Sequence, residues 1–422
     1  MDTVARLAGG PLTDGVRAFL GNLAYLFSAD VVATLLTFGL SAWVVRLMGP
    51  EEFGLANLVI GSSQLVLIPM LFGLHAATAR TVAASAAPGP YLSAALVLVA
   101  ILIPLVGLAG VALAGYAAQL AGLPRAVVLW SLPLAAALTL QHVVQSMLAG
   151  RHRFRNIALY NVWAAGAYAL IIIAGLVADA TWPYWMFVLA TILRHAVHTG
   201  LCAVDIWREL RRPSRAAMQT LARFGGVYTL GSVAYLFALS AIDSLMLNAW
   251  HGPAAVGLYG AYYASFNIVA SRITKLVSDV LLPTASAHGA PSRMVGRLAK
   301  VLAGPAWLLV PAAMMLARLL FVAFGDAYVF SWGTAALLGL CIYFHVAASL
   351  SGDLMVAGRP EDLRAATATS LVTALLNIGG NLILIPRFSV AGSLMATAVA
   401  SGAGLSLRLA YLVISARRTS SV

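Results

Sequence analysis

The sequence predicts an all-α, polytopic membrane protein with about twelve transmembrane helices. The first observation is composition: 61% of the 422 residues are hydrophobic and 9% are charged, whereas a soluble protein carries about 25% charged residues. The second is that charged and Pro/Gly-rich positions divide the chain into about twelve apolar segments, each near the ~20 residues that one membrane crossing needs. The third is a strong asymmetry of basic residues between the two sides of these segments. A soluble body and a secreted disulfide scaffold are excluded, since Cys202 and Cys341 are the only cysteines and both lie in apolar runs.

The predicted spans follow one another closely. The longest polar connection between them runs from Asp205 to Ala222. In chain order the spans are residues 20–45, 54–78, 91–115, 126–149, 157–178, 183–204, 224–249, 254–282, 298–323, 332–356, 365–386 and 391–414.

Basic residues concentrate on one side of these spans. Of the 26 in the chain, 18 lie in the termini and in alternate connections, three lie in the opposite connections, and five lie inside spans. The positive-inside rule places the basic side in the cytoplasm. We therefore expect a multi-pass protein of the plasma membrane, the inner membrane in a Gram-negative cell, with both termini cytoplasmic. The net charge of +12 is a topology signal under this interpretation, and no nucleic-acid partner is expected.

An internal repeat relates the two halves of the chain. Gly-Pro-Glu-Glu-Phe-Gly-Leu at 49–55 corresponds to Gly-Pro-Ala-Ala-Val-Gly-Leu at 252–258, and Ala-Gly-Arg at 149–151 corresponds to Ala-Gly-Arg at 357–359. Each pair occupies equivalent positions in a set of six spans. This predicts two pseudo-symmetric six-helix lobes around a central cavity, the arrangement of alternating-access transporters. The expected boundaries are 1–204 for the first lobe, 205–223 for a cytoplasmic linker and 224–422 for the second lobe.

Several ordered motifs resemble those of bacterial lipid-linked oligosaccharide flippases. Arg-Leu-Met-Gly-Pro-Glu-Glu-Phe-Gly-Leu at 46–55 is similar to the family's RxLGPxxYG turn, and Phe72-Gly73-Leu74 leading to Arg80 is similar to the end of its second span. The run from Gly358 through Asn377, Asn381 and Pro386 to Gly392 resembles its GR…N…LIPxxG signature, although 388–392 is looser than the common YGxxGA. The superfamily also contains multidrug antiporters and lipid II flippases.

The resemblance implies translocation of an undecaprenyl-pyrophosphate-linked oligosaccharide for export of a surface polysaccharide, such as lipopolysaccharide or exopolysaccharide. It implies no catalysis by the chain itself. The implied partners are the lipid-linked glycan, membrane lipid, glycosyltransferases and a polysaccharide polymerase.

Charges inside the spans are the candidate substrate contacts, because a charge at the bilayer centre costs about 2.5–3.5 kcal/mol or more. Arg194 lies near the middle of the sixth span, about 16 Å from either end at 1.5 Å per residue. This distance is too great for snorkelling. His198 follows at i+4 on the same helix face. We expect both to line the cavity and to bind pyrophosphate or sugar, with a buried structural pair as the alternative.

Further candidates lie nearer the membrane faces or carry negative charge. Arg272, Lys275 and Asp279 form one stripe at the cytoplasmic end of the eighth span, where pyrophosphate would first bind or where a solvated helix end would lie. Arg46 and Arg80 are substrate candidates through the family motifs alone. Asp30, Asp243 and Asp279 are either coupling sites for a cation or salt-bridge partners between the lobes. His75 and His142 are interpreted as isolated buried histidines.

No metal, nucleotide or organic cofactor is expected, since the sequence contains neither metal-ligand spacing nor a GxxxxGK[ST] loop. The one group left open is a coupling ion, Na⁺ or H⁺. The alternative function is a Na⁺- or H⁺-coupled antiporter of drugs or other small molecules. An integral-membrane polysaccharide polymerase is less favoured because the outer connections are short.

Overall fold

The described part of the chain is built from α-helices, and it contains no strand. The computed structural model describes residues 14–178, 181–236, 240–288, 300, 302, 304–356 and 360–420. Short 3₁₀ turns lie at Trp207–Glu209 and Pro305–Leu308. The helices are α1 (Asp14–Leu71), α2 (Leu74–Ala84), α3 (Gly89–Ala121), α4 (Arg125–Gly150), α5 (Phe154–Val177), α6 (Tyr184–Ile206), α7 (Arg215–Leu236), α8 (Ser240–His288), α9 (Leu309–Phe324), α10 (Trp332–Val356) and α11 (Pro360–Ser420).

The helices are long and apolar enough to cross a membrane repeatedly. Among the described residues, eight helical segments meet this criterion. Two of these segments, Val31–Leu71 with 41 residues and Arg364–Ser415 with 52, each cover two of the predicted spans. Counted in this way, the eight segments correspond to about ten crossings, which is roughly consistent with the predicted twelve. The all-α polytopic fold class is confirmed.

The surface of α3 has the character of a lipid-facing helix. Its apolar side chains are exposed along much of its length, for example Leu105, Leu108 and Leu120 at 61%, 72% and 76% of their full exposure. A helix with exposed apolar side chains over 33 residues would aggregate in water but is stable in hydrocarbon. The chain is a multi-pass membrane protein.

The three longest helices each bend at one residue with a positive φ. Gly49 (φ 73°, ψ 174°) bends α1, and Gly252 (φ 76°, ψ 179°) bends α8. Both glycines precede a proline, which disfavours the helical conformation at the residue before it, and glycine has no Cβ to oppose a positive φ. These are the two GPxx(F/V)GL turns of the repeat. The third bend, in α11, is at Ser389 (φ 51°, ψ −128°).

The two GPxx(F/V)GL turns pack against each other through a reciprocal glycine contact. A Cβ on Gly54 would lie 1.8 Å from the carbonyl oxygen of Pro253, and a Cβ on Gly257 would lie 1.9 Å from the carbonyl oxygen of Pro50. Only glycine permits backbones to approach this closely. The sequence repeat is therefore visible as a symmetric contact in space. Ala-Gly-Arg at 357–359, the second copy of the other repeated motif, lies outside the described residues.

The described residues form two compact units. The first contains Met1–Val44, Val66–Leu113 and Leu129–Leu230, and the second contains Val45–Leu65, Ala114–Val128 and Gly231–Val422, in each case as far as these ranges are described. The division follows tertiary packing and cuts across α1, α3, α4 and α7. The predicted lobes, with boundaries at 204 and 224, stay a prediction.

Ion pairs hold the connection after α6 to the first unit. Arg153, which follows α4, reaches Oδ1 of Asp205 at 2.9 Å and also contacts Glu209, while Arg151 pairs with Glu209 at 2.9 Å. The backbone N–H of Arg211 donates to Oγ of Ser93 at 3.1 Å. The first part of the predicted linker is thus attached to the helices before it.

Candidate functional site

The helix α6 places Arg194 on its packed side. Residues Leu189, Leu193 and Val204 along one side of α6 are 38%, 40% and 78% exposed, which is the exposure of a lipid-facing stripe. Arg194 is half-buried and lies one turn from Ala190 and one turn from His198, both of which are buried. The guanidinium therefore belongs to the side of the helix that faces the rest of the first unit.

Neutral polar groups surround Arg194. The phenol of Tyr168 in α5 is close enough to interact with its charge and hydrogen-bonds with Oγ of Ser41 at 2.9 Å. Within the described part of the chain, the guanidinium has no hydrogen-bond acceptor and no carboxylate partner. A half-buried cation without an acceptor among the described residues is chemically suited to bind an anion, and the binding role of Arg194 stays a prediction.

Histidines from three helices lie around this cation. His195 and His198 on α6 interact electrostatically with both Arg194 and His142 of α4. The ring centroid of His142 is 6.2 Å from that of His75 in α2. We call Arg194 and these four histidines the Arg194 cluster.

The interpretation of His75 and His142 as isolated histidines is wrong. Sequence reasoning could not pair residues on different helices, since periodicity reports only which residues share a face of one helix. The available signal was the concentration of histidines in adjacent apolar spans. Gln141, whose Oε1 contacts Nδ1 of His195, was missed for the same reason.

Two of the other predicted cationic residues, Arg80 and Arg46, make packing contacts in the structure. The guanidinium of Arg80 lies 4.5 Å from the ring centroid of Phe224, a cation–π contact. Arg46 lies over Gly325, where a Cβ would come within 3.0 Å of its Nε. Their substrate role stays a prediction. The side chains of Asp30, Arg272, Lys275 and Asp279 lie outside the described residues.

Tyr328 anchors the connection between α9 and α10, which begins with the Gly325 that Arg46 covers. The phenol of Tyr328 donates a hydrogen bond to the carbonyl oxygen of Val45 at 3.0 Å. Burial raises the pKa of Tyr328 above its ordinary value, so the phenol stays neutral and keeps its proton for this bond.

A second polar cluster surrounds Asp243 in α8. Its carboxylate accepts hydrogen bonds from the phenol of Tyr259 at 3.0 Å and from the amides of Asn381 at 2.6 Å and Asn377 at 3.3 Å. Asp243 is only 3% exposed. No basic side chain pairs with it in the part of the chain that the structure describes. Both roles predicted for Asp243, a coupling site and a salt-bridge partner, stay predictions. We call these four residues the Asp243 cluster.

The Asp243 cluster presents further oxygen atoms beside the carboxylate. Oδ1 of Asn381 is buried and has no hydrogen-bond partner among the described residues, and the hydroxyl of Ser393 lies within hydrogen-bonding reach of the Asp243 carboxylate. Oδ1 of Asn377 accepts from Thr397 at 3.2 Å. Buried oxygen atoms next to a carboxylate are suited to a hard cation or a proton. The two asparagines were noted in the sequence only as motif residues, without a role.

Comparison with known proteins identifies relatives along most of the chain. A family model described as "Polysaccharide biosynthesis protein" matches residues 19–288, more than half of the sequence. A curated relative, the "Probable low-salt glycan biosynthesis flippase Agl15" of Haloferax volcanii, is 26% identical over 416 residues, covering 92% of this chain and 82% of the relative.

Solved structures share the fold at low sequence identity. An inward-facing multidrug resistance MATE family transporter of the MOP superfamily has a TM-score of 0.71 and 14% identity, with 92% of this chain and 96% of that chain covered. The inward closed lipid II flippase MurJ has a TM-score of 0.61 and 14% identity, with 92% and 87% covered. The predicted resemblance is confirmed: the chain belongs to the polysaccharide biosynthesis protein family.

Proposed function

We propose that the chain is a flippase that moves an undecaprenyl-pyrophosphate-linked oligosaccharide across the plasma membrane by alternating access. The observation that carries this proposal is Arg194, a half-buried guanidinium on the packed side of a membrane helix, for which the described residues supply no acceptor. The family and the name of the Haloferax relative support the glycan-lipid class of cargo.

The physical task of such a protein explains why this arrangement suits it. The lipid tail can remain in the bilayer, but the pyrophosphate and the sugars would lose their hydration in hydrocarbon. A guanidinium can bind phosphate oxygens in a bidentate manner. The hydroxyl of Tyr168 and the imidazoles of the Arg194 cluster offer neutral hydrogen-bonding groups beside it. Arg194 would hold the pyrophosphate, and His198 would support that contact.

Reconstituted transport tests the proposal. The full chain is placed in liposomes with a fluorescent undecaprenyl-pyrophosphate-linked oligosaccharide, and exposure of the label at the outer leaflet is followed over time. Because charged hydrogen bonds contribute about 1.5–3 kcal/mol, we expect Arg194→Ala to reduce the rate at least ~10-fold, and Arg194→Lys to reduce it less.

Arg318→Ala is the matched control for this experiment. Arg318 is also an arginine within a span, but it is exposed and lies 5.3 Å from the ring centroid of Phe330. We expect this variant to keep a rate within about twofold of the wild type, because no cargo contact is lost. A wild-type rate in Arg194→Ala would contradict the cargo role of Arg194. No acceleration by the wild-type chain over protein-free liposomes would contradict the flippase proposal.

The second candidate function is cation-coupled antiport of a drug or another small molecule. It is favoured by the Asp243 cluster, an oxygen-lined acidic site without a basic partner among the described residues. Asp243, Asn381 and Ser393 would hold Na⁺, or Asp243 would hold a proton. The same site could also drive the flippase. Transport of the glycan lipid but not of small organic cations would favour the flippase.

The remaining parts of the proposal concern topology and partners. The distribution of basic residues supports a cytoplasmic location of both termini and of the connection after α6. Arg272 and Lys275 would meet the pyrophosphate first at that side. Glycosyltransferases would supply the cargo, and a polysaccharide polymerase would use it on the other side.

A further inference from the structure

Four of the chain's eight histidines belong to the Arg194 cluster, which is more than the binding of one anion by an arginine requires. His142 is central to the group: its ring lies 6.2 Å from that of His75, and it interacts electrostatically with His195 and His198. His198 is buried, with its Nδ1 3.7 Å from Sγ of Cys202. The four rings therefore respond to one another's charge.

The hydrogen bonds of two rings determine which nitrogen can take up a proton. Nδ1 of His142 lies 2.7 Å from the carbonyl oxygen of Leu138, and Nδ1 of His195 contacts Oε1 of Gln141. Since both partners are acceptors, Nδ1 carries the hydrogen in each neutral ring and Nε2 holds the lone pair. Neither Nε2 has a hydrogen-bond partner among the described residues, so each can accept a proton without breaking a bond.

The charge balance of the Arg194 cluster changes when an anion enters. Among the described residues, the titratable groups that face it from the surrounding helices are Tyr168 in α5, Tyr228 in α7, whose ring centroid lies 5.3 Å from that of His75, and Cys202 in α6. The acid next to Cys202, Asp205, is paired with Arg153. Without an anion, a proton on His195 or His198 would add a second positive charge near Arg194, which a low-dielectric environment opposes.

We propose that the Arg194 cluster takes up a proton together with the pyrophosphate group of its cargo, so that anion binding and protonation of the histidines favour each other. This inference rests on the proposed function. A pyrophosphate that is linked at both ends, to lipid and to sugar, carries two negative charges. Arg194 balances one charge and a protonated histidine balances the other. Because linkage is reciprocal, protonation strengthens anion binding by the same factor by which the anion favours protonation.

Proton uptake is measured by calorimetry on the full chain in nanodiscs of uncharged lipid. The probe is farnesyl-pyrophosphoryl-N-acetylglucosamine, whose doubly esterified pyrophosphate does not titrate between pH 6 and 8. Binding heats at pH 7 in two buffers of different ionisation enthalpy give the number of protons taken up. We expect the wild type to take up about half a proton to one proton, and its Kd to fall at least ~10-fold from pH 8 to pH 6.

Substitution of individual histidines tests whether the proton binds to the Arg194 cluster. We expect His142→Gln to bind the probe while taking up at most about half as many protons as the wild type. His195→Gln gives a second measurement if His142→Gln does not fold. The control is His152→Asn, at an exposed turn with φ 57° that asparagine tolerates, and it should take up as many protons as the wild type.

The outcomes separate this inference from the proposed function. Probe binding without proton uptake would overturn the inference and leave the flippase proposal standing. Undiminished uptake in both cluster variants would also overturn it, because the proton would then bind elsewhere. Failure of the wild type to bind the probe at any pH would overturn the pyrophosphate cargo and this inference with it.

Discussion

At the scale of single residues, Ser389 departs most clearly from ordinary backbone conformation. Its φ of 51° and ψ of −128° lie in a region that is favourable only for glycine and that costs another residue about 1–3 kcal/mol. The flippase motif that this segment resembles has glycine at the corresponding position. The bend in α11 is thus formed here against the preference of the side chain.

Replacing Ser389 by glycine should stabilise the protein. Because glycine has no Cβ to disfavour a positive φ, we expect Ser389→Gly to raise the free energy of unfolding by about 1 kcal/mol. Thermal unfolding in detergent, with intrinsic fluorescence as the signal, measures this change. The control is Ser401→Gly at a regular helical position of α11, which should lower the midpoint slightly. A midpoint for Ser389→Gly at or below that of the wild type would contradict the prediction.

Residue-level prediction succeeded where one helix supplied the information. The mid-span position of Arg194 and its helix face with His198 follow from spacing alone. The neighbours of Arg194 do not follow from spacing. His75, His142 and Tyr168 come from three other helices, and whether they lie near Arg194 depends on how those helices cross. The hydrogen bonds of the Asn377 and Asn381 amides with Asp243 are equally unpredictable from periodicity, because these residues lie 134 and 138 positions after Asp243 and on another helix.

At the scale of helices, the repeated turn was recognised in the sequence, but its contact was not. The GPxx(F/V)GL segments were predicted as equivalent turns in separate lobes. In the structure they bend the continuous helices α1 and α8 and contact each other at Gly54 and Gly257. A sequence repeat gives the equivalence of two elements, whereas their mutual packing depends on the absence of a Cβ at just these positions.

The reciprocal contact predicts non-additive mutations. A Cβ at either glycine overlaps a carbonyl oxygen of the other turn, so the backbones must separate. We expect Gly54→Ala and Gly257→Ala each to destabilise the protein by about 2 kcal/mol or more. The double variant should cost less than the two changes together, because the first has already opened the contact.

Thermal unfolding of the single and double variants provides this double-mutant cycle. Gly107→Ala in α3 is the control, since a Cβ there meets no atom within 4 Å and alanine favours a helix over glycine. Its stability should be unchanged or higher. Full additivity of the two costs would show that the glycines act independently and would contradict a shared contact.

At the scale of the whole molecule, the fold class and family follow directly from the sequence, because a chain rich in apolar spans has few architectures open to it in a membrane. The described helices and the matching family model agree with that expectation. The division into compact units does not follow from span order. Residues Val45–Leu65 of α1 and the C-terminal end of α3 pack within the second unit, since tertiary contacts rather than chain connectivity determine which parts of a helix belong together.

The Asp243 cluster predicts an ion-dependent stability of the molecule. If the carboxylate binds Na⁺, the wild type should unfold at a higher temperature in Na⁺ than in choline; at ten times the Kd, the gain is about 1.4 kcal/mol. Asp243→Asn should lose this difference, because an amide keeps a polar side chain but removes the charge. Asp326→Asn, in an exposed loop, should behave as the wild type.

Thermal unfolding at several pH values distinguishes a proton from Na⁺ at the same site. A proton would give a midpoint that depends on pH in the wild type and less so in Asp243→Asn, with no effect of Na⁺. A wild-type midpoint insensitive to both Na⁺ and pH, or an equal response in Asp243→Asn, would contradict a coupling role for Asp243.

The mutual fit of Gly54 and Gly257 also bears on the origin of the chain. In a homodimer with twofold symmetry, a contact of one residue with a second residue of the partner is repeated with the two subunits exchanged. The contacts of Gly54 with Pro253 and of Gly257 with Pro50 are related in this way within one polypeptide. This is the contact that two copies of a half-length protein would make if they dimerised through this turn, and a bulkier side chain at either glycine would disturb both turns at once.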